Sequence, residues 1–99
     1  SVVIPIKPMK KDYIKFVTGL ARSKGYDIIA GKQMKSHNGS LFRGVICYHL
    51  HHYFKLDNRE IAKIFCLTAR AVYYWVHRVE DLLEIEDEQT KKLYIKLKP

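Results

Sequence analysis

The residues with the most evident capacity for chemistry lie in the stretch CYHLHHY, which covers residues 47–53. Cys47 and His51 are four residues apart and His49 and His52 are three apart, so each pair would share one face of a helix. A metal site needs three or four converging ligands, and no other Cys or His group has metal-ligand spacing. The pattern therefore favours partly exposed histidines beside a polyanion, and no metal is expected.

Catalytic groups are not expected either. The two cysteines, Cys47 and Cys66, and the five histidines show no spacing typical of a nucleophile and its base. The carboxylates between residues 80 and 88 lie in a charged segment that we expect to be solvated, whereas paired catalytic acids need a cleft. With no CxxC motif, the cysteines fit a reducing cytosol. We predict that the chain is not an enzyme and has no cofactor.

Side chains between residues 68 and 78, most of them polar, have the types and spacing that contact DNA. On a helix they would share the outer face, and they are Thr68, Ala69, Arg70, Tyr73, Tyr74, His77 and Arg78. Arg70 can donate two hydrogen bonds to a guanine in the major groove. Thr68, Tyr73 and Tyr74 can bond phosphates or touch thymine methyl groups. His77 and Arg78 are placed to contact the DNA backbone.

The residues around this face match a helix-turn-helix. Ile61 and Phe65 are one helical turn apart and are predicted to face inward, with the small Ala62 where the second helix crosses. Leu67 would fill the turn, and Cys66, where glycine is favoured, is tolerable if it need not adopt a positive φ. The inner face of the second helix would hold Val72, Trp75, Val76, Val79 and Leu83. A plain helical hairpin is the alternative.

The charge distribution favours a polyanionic partner. The chain carries +8 in total. Residues 1–35 contribute +6 (8 basic, 2 acidic), residues 36–78 contribute +4 (6 basic, 2 acidic), and residues 79–99 contribute −2 (4 basic, 6 acidic). A basic body with an acidic end points to a polyanion on one face. General solubility is the other explanation of the charge.

Five helices are predicted to position these residues, and we expect an all-α domain over residues 11–99. Pro5 and Pro8 make residues 1–10 irregular. The helices are expected at about 11–24, 40–54, 57–65, 68–84 and 86–96. Gly25 would end the first helix, and the predicted N-caps are Ser40, then Asp57 or Asn58, then Thr68. The long second helix should bury a stripe of Phe42, Ile46, Leu50 and Tyr53.

The same periodicity bears on localisation. No apolar run approaches the ~18 residues that a membrane span needs. The first helix could lie on an anionic membrane, but its apolar stripe (Ile14, Val17, Leu20 and Ala21) is more simply the side that packs on the core. No signal peptide is evident. The missing initiator Met suggests a piece of a longer protein or a trimmed product, and we expect a cytoplasmic location.

With the helices in this order, the chain resembles the C-terminal DNA-binding domain (domain IV) of the bacterial replication initiator DnaA, across about residues 11–97. The segment YDIIAGKQMKS stands where that family has a short turn and a basic loop, and EIAKIF and AVYYWVHRVEDLLE stand where it has EIGxxF and its last long helix. The resemblance implies a Trp-repressor-like helical cluster whose basic loop approaches the minor groove. The family signature GRDHTTV is absent, and this chain has CLTARAV there.

We therefore predict binding of double-stranded DNA, with sequence preference, in replication initiation, transcription or the maintenance of a mobile element. The expected phosphate contacts are Lys32, Lys35, Arg43 and Arg59, beside His77 and Arg78. A bacterial or phage origin and association with the nucleoid would follow. The alternative is a helix-turn-helix that docks a protein, through the exposed Tyr73 and Tyr74 and the acidic end of the chain.

Overall fold

A computed structural model describes residues 9–29 and 37–99. These residues form five α-helices: α1 (Lys10–Ser23), α2 (His37–His52), α3 (Asn58–Phe65), α4 (Ala69–Glu84) and α5 (Glu88–Lys96). The prediction of an all-α protein with about five helices is confirmed. Residues 1–8, which were expected to be irregular, lie outside the described residues, as does most of the predicted basic loop.

Side-chain caps set where three of the helices begin. The Asp57 carboxylate accepts the Glu60 N–H at 2.9 Å at the start of α3. The Thr68 hydroxyl oxygen accepts the Ala71 N–H at 3.0 Å at the start of α4. Thr68 was predicted as a cap, and Asp57 was one of two predicted alternatives with Asn58, because short polar side chains satisfy backbone N–H groups that a helix leaves unpaired. The third cap, Asp87, accepts the Thr90 N–H at 3.1 Å.

Two predicted helix starts are wrong. The second helix begins at His37 rather than at Ser40. Its first turn is held against α5 by a 2.7 Å hydrogen bond from Gln89 to Asn38. The last helix begins at Glu88, two residues later than predicted. Glu86 has a φ of +57°, and this left-handed conformation cannot continue a helix.

Helix α2 lies in the centre of the protein and is buried around most of its circumference. The predicted stripe of Phe42, Ile46 and Leu50 is confirmed as buried, but Tyr53 lies beyond the end of the helix and is exposed. Further buried side chains on other faces of α2 are Leu41, Val45, Cys47 and His49. A helix that is apolar nearly all round is one that its neighbours enclose.

The terminal helices α1 and α5 are joined to the same core. On α1, the predicted inward residues Val17 and Ala21 are fully buried, and Tyr13 is buried beside them. The Tyr13 hydroxyl donates a 2.6 Å hydrogen bond to the carbonyl oxygen of Leu97, just after α5. A buried phenol needs such a partner. Gly25, with a φ of +82°, follows the end of α1 as predicted.

The contact between α2 and α4 fixes how α4 is rotated about its axis. Gly44 of α2 lies directly beneath the indole of Trp75, and a Cβ atom added to this glycine would be 2.5 Å from Cε3 of the ring. The absence of a side chain therefore lets the two helices approach closely. Because Trp75 is seated on α2, the opposite side of α4 is turned away from the core.

Candidate nucleic-acid interface

Helices α3 and α4 are joined by three residues, and their facing sides are apolar as the sequence predicted. Ile61, Ala62 and Phe65 of α3 are buried, and Leu67 in the turn packs against the core. On α4, the predicted inner residues Val72, Val76 and Val79 are buried, while Trp75 and Leu83 are partly buried against the core. This packing holds α4 rigidly beside α3.

The condition under which Cys66 was considered tolerable, that it need not adopt a positive φ, is not met. Cys66 has φ 53° and ψ 41°, in the left-handed region. The conformation lets the Leu67 N–H bond the carbonyl oxygen of Ala62 at 2.9 Å, which closes α3 with a left-handed terminal turn. Glycine is favoured at such a position because a Cβ atom is strained there. Cys66 adopts the left-handed conformation, although a non-glycine residue favours a negative φ, because the chain must turn here to reach Thr68.

We expect Cys66→Gly to raise the free energy of unfolding by about 0.5–1 kcal/mol. Removing the Cβ relieves the left-handed strain, of about 1–2 kcal/mol, and part of that gain is lost to the greater freedom of glycine in the unfolded chain. Urea unfolding would measure the difference. Cys66→Ala is the matched control, since it removes the thiol and keeps the Cβ. If Cys66→Ala raises the free energy of unfolding as much as Cys66→Gly does, relief of backbone strain is not the cause of the increase.

The outer side of α4 carries the residues that were predicted to contact DNA. Arg70, Tyr73, Tyr74, His77 and Arg78 line one shallow groove of about 460 Å³, together with Asp81. All five predicted residues are exposed, and the two tyrosine side chains remain more than half accessible. The rings of Tyr73 and His77 pack together with their centroids 4.3 Å apart. The side chains therefore form one continuous surface on a rigid helix.

Thr68 and Ala69 lie at the start of this surface. Thr68 is exposed, and its hydroxyl oxygen is occupied by the cap of α4, which leaves its O–H able to donate elsewhere. Ala69 is half-buried. The first turn of α4 contains no acid, whereas those of α1, α3 and α5 contain Asp12, Glu60 and Glu88. The positive end of the α4 dipole is therefore not neutralised by its own first turn.

Charge changes sign along α4. Residues 69–78 contain Arg70 and Arg78 and no acid, and residues 79–84 contain Glu80, Asp81 and Glu84. The imidazole Nδ1 of His77 lies 3.8 Å from the Glu80 carboxylate at the boundary. A polyanion is thus attracted to the N-terminal part of the helix and repelled from its last two turns.

The predicted phosphate-contacting residues outside α4 are only partly placed. Lys32 and Lys35 lie outside the described residues. Arg59 is exposed in the first turn of α3. Arg43 lies on α2, half-buried, and its Nε is buried without a hydrogen-bond partner among the described residues. It lies near enough to the buried Cys47 thiol to oppose the rise in its pKa, which burial takes to about 12.

Of the α2 histidines that were predicted to be partly exposed, His51 and His52 agree with the prediction and His49 does not. His49 is buried, and its Nε2 donates to the carbonyl oxygen of Tyr94 at 3.0 Å. Burial lowers the pKa of His49, so it is a neutral core residue near pH 7. His51 bonds the carbonyl oxygen of Leu56 at 3.0 Å, and His52 is exposed. Among the described residues, no three His, Cys, Asp or Glu side chains are grouped for a metal ion.

Two long-range contacts that fix the packing of the helices were not evident from the sequence. The contact of Trp75 with Gly44 lets α4 approach α2 closely. A glycine facing a tryptophan across two helices leaves no signal in either helix alone. The His49–Tyr94 bond likewise joins α2 to α5 across 45 residues.

Within the described residues, no helix has both the length and the apolar character to cross a membrane. Comparison of the chain with protein-family models, with curated proteins and with solved structures gave no match.

Proposed function

We propose that this protein binds double-stranded DNA, with α3 and α4 acting as a helix-turn-helix and α4 as the recognition helix. The observation that carries the proposal is the continuous exposed surface of Arg70, Tyr73, Tyr74, His77 and Arg78, on a helix whose other side is locked into the core. A basic side chain on a rigid helix can read a guanine in the major groove, and aromatic rings beside it can contact thymine methyl groups.

The charge pattern supports insertion of α4 by its N-terminal end. That end combines an uncompensated helix dipole, the Thr68 hydroxyl and Arg70, while the acids lie in the last two turns. Recognition helices place their N-terminal residues on base edges. In this arrangement Arg70 reads a guanine, Tyr73 and Tyr74 contact bases or phosphates, and His77, Arg78 and Arg59 hold the backbone.

The resemblance to the DnaA C-terminal domain leads to a second part of the proposal. In that layout the basic loop with Lys32 and Lys35 approaches the minor groove, and Arg43 is one of the residues that hold the phosphates. The biological role would be replication initiation, transcription or the maintenance of a mobile element, in the cytoplasm and on the nucleoid. Because the family signature is absent from this chain, its target is expected to differ from the DnaA box.

Fluorescence anisotropy at several salt concentrations tests DNA binding. The chain should bind a random duplex with a slope of log K against log salt of about −0.9 for each phosphate neutralised. Arg78→Ala should reduce the magnitude of the slope by about 0.9, the contribution of one phosphate contact. Lys63→Ala, on the exposed side of α3, should leave the slope unchanged. Absence of binding at low salt would reject the proposal. Comparison of a random duplex with one that carries the DnaA box tests the family layout.

A protein-docking function is the second candidate, and the exposure of Tyr73 and Tyr74 favours it. Each side chain is more than half accessible, although large aromatic side chains are usually more buried. Exposed aromatic residues are typical anchors of protein interfaces. Binding to such a partner would depend little on salt, which separates this function from DNA binding.

A further inference from the structure

A second concave surface lies on a different part of the protein. It is a groove of about 310 Å³ where the end of α1, the start of α2 and one side of α5 meet. Its lining shares no residue with the groove along α4. Three lysines line it, Lys24 beside α1 and Lys92 and Lys96 on α5.

Among the described residues, the three ammonium groups have no acidic partner. No described carboxylate lies within 4 Å of any of them, although Lys91 on the same helix is paired with Glu86 and Glu88 at 3.9 Å each. Lys24 also stands close enough to Lys96 to lower the pKa of the latter. Cations held near one another without a counter-charge repel, and an anion placed between them would relieve that repulsion.

The rest of the groove is apolar or neutral. Tyr26, Phe42 and Leu93 contribute its apolar lining. Tyr26 packs on the buried Phe42 with the ring centroids 5.8 Å apart, so it is held in place. The amides of Asn38 and Gln89, joined at 2.7 Å, complete the wall. A fixed aromatic ring beside a cluster of cations suits a ligand that has both a phosphate and a flat ring.

We propose that this groove binds a small phosphorylated ligand of the nucleotide class. The phosphates lie between Lys24, Lys92 and Lys96, and the base lies against Tyr26 and Leu93. This inference does not depend on DNA binding by α4, because the two surfaces have no residue in common. Either proposal can fail while the other stands.

Titration of the ¹⁵N-labelled full chain, followed by amide chemical shifts, tests the inference. Pyrophosphate and ADP should each give saturable shifts that cluster at residues 24–26, 38 and 89–96. ADP should bind about fivefold or more tightly than pyrophosphate, since stacking of a base on an aromatic ring contributes roughly 1–3 kcal/mol. Lys24→Gln and Lys96→Gln should each weaken both ligands by about fivefold to tenfold.

Lys63→Gln is the matched control, since it removes an exposed lysine of α3 that is outside the groove. Its affinity for both ligands should equal that of the parent, and thermal unfolding should show that all three variants remain folded. Shifts that spread over the lysines of the whole chain without saturation would overturn the inference. Equal affinities for ADP and pyrophosphate would also overturn the inference. The same holds if Lys24→Gln and Lys96→Gln weaken the binding of duplex DNA and leave the binding of both small ligands unchanged.

Discussion

Gly44→Ala is expected to lower the free energy of unfolding by about 1–3 kcal/mol, the range for forcing extra atoms into a packed core. The new Cβ atom would lie 2.5 Å from Cε3 and 3.0 Å from Cδ2 of Trp75. These atoms belong to the body of the ring, so α4 or the indole must move. On helix propensity alone the same change would stabilise α2 by about 1 kcal/mol. A decrease in the free energy of unfolding would therefore identify the clash between the new Cβ atom and Trp75. Urea unfolding would measure it.

Gly19→Ala provides the matched control in α1. No atom lies within 4 Å of a Cβ added there, so this variant should gain about 0.5–1 kcal/mol. A double-mutant cycle with Trp75→Leu then isolates the contact, because the cost of Gly44→Ala should shrink once the ring is removed. If Gly44→Ala is as stable as Gly19→Ala, the close approach of α2 and α4 at this glycine is wrong.

Arg70→Ala should weaken binding to a preferred DNA site by about 1–3 kcal/mol, or roughly 5- to 150-fold, and should relax the preference at one base pair. The physical reason is that Arg70 lies exposed on the outer side of α4 near its N-terminal end, where a guanidinium can donate two parallel hydrogen bonds to guanine. Selection from a random duplex library, followed by anisotropy with the selected site, provides the measurement.

Two further variants make the test of Arg70 specific. Arg70→Lys keeps the charge but cannot form the bidentate pair, so it should lose sequence preference while it keeps most of the non-specific affinity. Arg22→Ala removes an exposed arginine from α1, and should leave the preferred base pair unchanged. An Arg70→Ala variant that binds all sites as the parent does would remove this residue from the base-reading set.

Local chemistry was sufficient to predict most of the helical framework. Asp57 and Thr68 cap α3 and α4 because their side chains accept backbone N–H groups a few residues away, and Gly25 follows the end of α1 because it adopts a positive φ. The inward positions Ile61, Phe65, Val72 and others follow from a period of 3.6 residues. These features depend on neighbours within one or two turns, which the sequence displays directly.

The sequence also limited the candidate site to the outer side of α4, because residues opposite a buried stripe must face outward. What it did not contain was the fit between elements that are distant along the chain. Asn38 meets Gln89 across 51 residues, and this contact accompanies the extension of α2 beyond Ser40. Cys66 adopts a left-handed conformation that its own preference opposes, because α3 and α4 are both held by the core.

By itself, then, the sequence determined the number of helices, two of their caps and the composition of the surface that we propose meets DNA. Only the tertiary structure decided that His49 is a buried, neutral core residue and that Gly44 packs against the ring of Trp75. It alone brought Lys24 beside Lys96. The reason is that caps and periodicity act over a few residues, whereas burial and the meeting of like charges depend on how whole helices pack.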